Sequence, residues 1–86
     1  MSEIEYICRV CGYDYGGYPI REGGAGSHDI CVCCGVTFGY EDNLPAGVRS
    51  FRTYWAGSGF TWNDPLSKPH GWNRTEQMAN IPSQWR

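Results

Sequence analysis

Two five-residue segments carry the chemistry of this chain: Cys8-Arg9-Val10-Cys11-Gly12 and Cys31-Val32-Cys33-Cys34-Gly35. Each is a C-x2-C-G turn, and 19 residues lie between Cys11 and Cys31, a spacing that suits a four-cysteine zinc site. Two thiolates three positions apart converge on one cation when the chain turns tightly between them. A glycine after the second cysteine supplies the positive φ that such a turn needs. Cys8, Cys11, Cys31 and Cys34 are therefore the expected ligands of one Zn2+ per chain, with iron as the alternative occupant of the same thiolates. Four protein ligands leave no position for water or substrate, so such a metal is structural. Its binding energy is folding energy, on the order of 10 kcal/mol in small modules.

The remaining reactive side chains form no such constellation. Cys33 stands where Val10 stands in the first copy, a register that aims it away from the metal. It reads as a small buried apolar side chain, with ligand exchange with Cys34 or a reactive thiol as alternatives. His28 reads as a loop or core histidine, and His70, between Pro69 and Gly71, as a turn residue. Neither assembles a nucleophile with its base, so the chain is not expected to be an enzyme. Glu41-Asp42 reads as a solvated turn at a helix start and as part of an acidic surface for a partner.

Short elements must hold the cysteines in place. Tyr6-Ile7-Cys8 and Ile30-Cys31-Val32 read as strands running into the turns, and Val36-Thr37-Phe38-Gly39-Tyr40 as a strand leaving the second. Arg21-Glu22-Gly23-Gly24-Ala25-Gly26-Ser27 reads as a mobile loop, because glycine supplies nearly half of it. Asn43-Leu44-Pro45 predicts a helix start, with an Asn or Asp cap and proline in the first turn. Val48, Phe51, Tyr54 and Trp55 follow on one expected helix face, with Arg52 at its border and Gly57 and Gly59 as the stop. Asn73, three residues before Glu76, predicts a second short helix to about Asn80, closed by Pro82.

Composition bounds the rest. The chain has 86 residues, one domain spanning 1–86, with metal-binding knuckles over 1–40 and a helical, Trp-rich extension over 41–86. Ile, Leu and Val number 11 against 13 aromatic residues, so flat rings must do much of the work of aliphatics in the core. Trp55 and Phe51 are expected inside, whereas Trp62, Trp72 and Trp85 are divided between core and partner surface. No apolar run reaches the length of a membrane span, and the acidic start MSEIEYICRV does not read as a signal peptide. The expected setting is the reducing cytoplasm, where cysteine pairs hold metal. With net charge −2 and no basic run, nucleic acid is not an expected partner.

Tyr6 to Tyr15 resembles the first knuckle of a rubredoxin, in which four cysteines hold one iron for electron transfer. More of the chain is similar to the small bacterial CPCC-type cysteine-rich proteins. Their C-P-C-C-G-x-x-F-G-Y-x-D box corresponds to Cys31 through Asp42, with Val32 in place of the proline. Their Y-R-x-x-W helix corresponds to Phe51-Arg52-Thr53-Tyr54-Trp55. Gly59-Phe60-Thr61-Trp62, Lys68-Pro69-His70-Gly71-Trp72 and Gln77-Met78-Ala79-Asn80-Ile81 complete the likeness. The resemblance implies a small α+β fold: a zinc-ribbon, rubredoxin-like β-unit followed by a short helix and an aromatic-rich tail. Some members of that family look like immunity proteins. The functional expectation is thus a non-enzymatic zinc protein that binds and neutralises a basic secreted toxin, with a rubredoxin-like iron electron carrier as the alternative. Glu41, Asp42, Trp62, Trp72 and Trp85 are the expected partner-binding residues.

Overall fold

The computed structural model describes residues 3–86. Its two cysteine turns are built alike. Cys8 N donates to Tyr13 O at 2.9 Å and Gly12 N to Cys8 O at 2.9 Å. In the second turn Cys31 N donates to Val36 O at 2.8 Å and Gly35 N to Cys31 O at 3.0 Å. The glycines that reverse the chain sit at φ 82° and 84°, the left-handed region that a Cβ disfavours. One bridge closes each knuckle, Ile7 with Asp14 and Ile30 with Thr37. The strands expected around the turns are reduced to single bridges.

The sheet forms elsewhere, and it corrects the sequence reading. Strands β1 (Ile4–Glu5), β2 (Arg21–Glu22) and β3 (Ala25–Gly26) pair antiparallel in that order. Arg21 faces Gly26 and Glu22 faces Ala25, so Gly23-Gly24 is a two-residue hairpin loop rather than the centre of a mobile segment. Both glycines have positive φ, 60° and 85°, which the tight hairpin turn compatible with strand twist requires. Glycine richness here encodes a specific turn.

Helix α1 (Pro45–Gly57) begins at its proline, but Leu44 holds the cap position and offers no side-chain bond. Asn43 is diverted: it donates to Gly39 O at 2.8 Å and accepts from Arg21 at 3.0 Å. Val48 and Trp55 are buried and Phe51 is half-buried, as the periodicity predicts. Tyr54 is 71 % exposed, contrary to the expectation. It lies six residues after Val48, about 240° around the helix, which turns it off the apolar stripe. Helix α2 (Arg74–Met78) is capped by Asn73, whose side chain accepts from Glu76 N at 3.0 Å. It ends before the expected Asn80. Single 3-10 turns occupy Pro65–Ser67 and Ser83–Trp85.

Rings join the two halves. A chain of edge and tilted contacts runs Phe38–Tyr15–Tyr13–Trp62–Trp72–Trp55–Phe60, with centroids 4.7–6.4 Å apart. Such pairs favour offset or edge-to-face geometry at this range, each adding about 0.5–1.5 kcal/mol beyond area burial. The cysteines, Val10, Ile20, Val36, Phe38, Val48, Trp55 and Trp62 make one continuous core.

Candidate metal centre

The two knuckles face each other across the core and bring four sulfurs together. The Sγ atoms of Cys8, Cys11, Cys31 and Cys34 all lie within 4.8 Å of one another, and all four residues are buried. Sulfurs of opposite knuckles approach to 3.8 Å for Cys8–Cys34 and 3.7 Å for Cys11–Cys31. A tetrahedron with metal–sulfur bonds of about 2.3 Å has edges of about 3.8 Å, so the closest pairs already have the spacing that zinc demands. Tetrahedral sulfur suits zinc and iron alike, and the geometry does not choose between them.

Negative charge is costly at the same place. Burial pushes the Cys11 and Cys34 thiols well above the ordinary thiol range. Cys31 is held far below it, because the thiols of Cys11, then Cys34 and Cys8, donate to its sulfur. One thiolate is thus stabilised at the cost of its neighbours' ionisation. Four thiolates together need a dication to carry them.

The surroundings orient the ligands. The Tyr15 hydroxyl accepts from Val32 N at 3.0 Å and adds a smaller lowering of the Cys31 thiol. Burial in turn raises the Tyr15 hydroxyl well above the usual tyrosine range, the Cys31 charge adding to it. Gln77 Nε2 donates to Cys11 O at 3.1 Å and to Cys33 Sγ at 3.3 Å, while its Oε1 accepts from Trp72 Nε1 at 2.8 Å. Cys33 is fully buried outside the four-sulfur cluster, as the apolar reading expects, but its sulfur accepts a hydrogen bond. Its thiol is lowered, first by Cys11, against the effect of burial. Arg52 donates to Val10 O, Arg9 O and Trp85 O at 2.7–2.8 Å, tying α1 and the Trp85 turn to the first knuckle. Outer contacts of this kind fix ligand orientation in metal sites generally.

The residues expected on a partner surface divide. Asp42 is 1 % exposed, and its Oδ1 accepts from Arg21 Nη2 at 2.6 Å and from Gly39 N at 2.7 Å. Trp62 is 4 % exposed. These two placements are corrected: the carboxylate is consumed by a buried ion pair and the indole by the core. Glu41 is half-buried and accepts from Thr37 N at 2.9 Å. Trp72 and Trp85 are half-buried against the core, Trp85 beneath the Arg9 guanidinium at 3.7 Å. His28 and His70 are exposed and lie outside the cysteine cluster.

Sequence reasoning missed the burial of Arg9 and Arg21 and the roles of Tyr15 and Gln77. Tyr15 had a local signal, since Tyr13-Asp14-Tyr15 directly follows the first turn and alternate residues of an extended segment share a face. Gln77 stood in the Gln77-Met78-Ala79-Asn80-Ile81 likeness, but nothing local joined it to Cys11, 66 positions away. Among the described residues no helix is long and apolar enough to cross a membrane. No family model, no curated protein and no solved structure matches this chain.

Proposed function

We propose that this chain is a non-enzymatic zinc protein whose metal holds the fold and whose activity is to bind another protein. In its sharper form it is a cytoplasmic immunity protein that neutralises a basic toxin. The observation that carries the metal half is the set of four buried sulfurs within 4.8 Å of one another. The partner half is supported by an acidic surface stronger than the net charge of −2 conveys. Over residues 3–44 both arginines are buried, Arg9 against Glu5 and Arg21 against Asp42, while Glu3, Asp14, Glu22 and Asp29 are exposed. Exposed carboxylates favour the approach of a basic protein and raise the association rate. Deleting the gene in a host that makes the cognate toxin should abolish resistance. A deletion strain that stays fully resistant contradicts the immunity reading.

One observation favours the electron-carrier reading. Cys34 is 7 % exposed where Cys8, Cys11 and Cys31 are 0 %, and it lines an open groove of about 900 Å³ beside Phe51, Tyr54 and Trp62. A cysteine of the cluster lying just beneath an open groove gives electrons a short route to the surface. An iron-loaded protein that reduces and reoxidises reversibly supports that reading, and an absence of any reversible couple removes it.

A further inference from the structure

The charges of this chain are segregated. Residues 3–44 hold seven acids against two arginines, whereas residues 45–86 hold five Lys or Arg against two acids. Three of those arginines meet in one place. A groove of about 580 Å³ between α1 and the α2 segment is lined by Arg52, Arg74 and Arg86 over Phe60, Met78 and Ile81.

We propose that this groove binds an acidic peptide segment of a partner protein, carboxylates on the arginines and an aliphatic side chain on the apolar floor. Arg52 uses Nε and Nη2 to hold backbone carbonyls, and Arg86 likewise donates from Nε to Ile81 O and from Nη2 to Ala79 O, both at 3.0 Å. Each keeps its Nη1 group beyond those bonds. The Arg74 guanidinium stacks over the Phe60 ring at 3.8 Å. Among the described residues none of the three is in an ion pair. Their planes are fixed by carbonyls and a ring, so less side-chain freedom is lost when a ligand arrives. Guanidinium forks match carboxylates in shape, and charge-assisted bonds of this kind are about twice as strong as neutral ones.

The floor selects among anions. Met78 is half-buried beside the buried Ile81, an apolar base that favours an aliphatic group between the charges. A single-stranded nucleic acid needs a basic track and free aromatic faces for stacking. Here the base cluster is confined to one groove and the Phe60 face is covered by Arg74. The proposal is independent of toxin neutralisation, which concerns the acidic surface of residues 3–44.

Fluorescence anisotropy on the metal-loaded full chain tests it, with a labelled peptide of alternating glutamate and leucine as the probe. Saturable binding is expected, lost when glutamine replaces glutamate, and weakened about tenfold or more by Arg74→Glu. Arg74→Lys keeps the charge without the fork and should fall between. Arg74 is exposed at the first position of α2, where an acidic residue favours the helix, so the fold should survive the change. A thermal midpoint close to the parent's, and Arg74→Gln as a neutral second variant, keep folding and binding separate. No saturable binding, equal binding of the glutamine peptide, an unchanged affinity in both Arg74→Glu and Arg74→Gln, or stronger binding of an oligothymidine overturns the proposal.

Discussion

The two cysteine turns share a backbone and differ in what covers them. Over the first knuckle lie side chains from distant elements: Gln77 on Cys11 O, Asn80 on Gly12 O at 3.2 Å, and Arg52 on Arg9 O and Val10 O. The second is met mostly by main chain, with Asn63 N donating to Cys33 O at 3.0 Å and Asp64 N to Val32 O at 2.8 Å, beside two side-chain bonds, Val32 N to the Tyr15 hydroxyl and Gln77 Nε2 to Cys33 Sγ. The first is sealed, and the second leaves Cys34 slightly open to the neighbouring groove. One local device has been embedded in two tertiary settings. Sulfur geometry belongs to the repeat, while the response to mutation belongs to the cover.

The largest effect should show no difference between the knuckles. Cys8→Ser and Cys34→Ser each remove one of four ligands and should cost the metal, with a loss of stability approaching the order of 10 kcal/mol that structural zinc contributes. Metal stoichiometry and far-ultraviolet circular dichroism should report a metal-poor, unfolded chain in both. A folded, metal-loaded Cys34→Ser protein beside an unfolded Cys8→Ser would break the equivalence.

The glycines should then separate the two turns. Gly12→Ala and Gly35→Ala share the left-handed strain of about 1–2 kcal/mol. A Cβ at Gly12 would overlap the Gln77 carbonyl oxygen, whereas at Gly35 the nearest atom is Asn63 Oδ1 at 3.5 Å. Overpacking adds about 1–3 kcal/mol, so urea midpoints should fall further for Gly12→Ala. Equal midpoints would mean that α2 does not press on the first knuckle.

A smaller loss is expected from Gln77→Leu, which leaves Cys11 O and the Trp72 indole N–H without their partner. About 1–3 kcal/mol should disappear, with a change in tryptophan emission as Trp72 loosens. The smallest is Tyr15→Phe, about 1 kcal/mol at neutral pH for the lost bond from Val32 N. Its signature is in alkali. Burial raises the Tyr15 hydroxyl, so the folded chain keeps a proton that the unfolded chain gives up at about pH 10. That contribution is complete below pH 10 and declines as the pH rises beyond it. Tyr15→Phe should flatten the decline in an alkaline denaturation series.

Much of the site was readable because its information is local. Five residues close each turn, and the ligand positions follow from the turn alone. The start of α1 at Pro45 and the Asn73 cap were readable for the same reason. What escaped depends on distant partners. Asp42 looks like a surface acid until Arg21, 21 positions away, arrives on the hairpin beside it. Breaking such a buried pair from one side costs about 3–5 kcal/mol, so Asp42 is committed to the fold rather than to a partner. The hairpin itself escaped because a Gly-Gly pair serves both loose loops and the tightest β-turns. Pairing with β1 decides between them.

We propose that a four-thiolate metal holds this fold together. Metal analysis with a visible spectrum, on protein purified without added metal and then followed by circular dichroism during chelation, tests it most directly. One colourless zinc per chain is expected, with cooperative unfolding as the chelator removes it. A metal-free chain that keeps its ellipticity and thermal midpoint would contradict it.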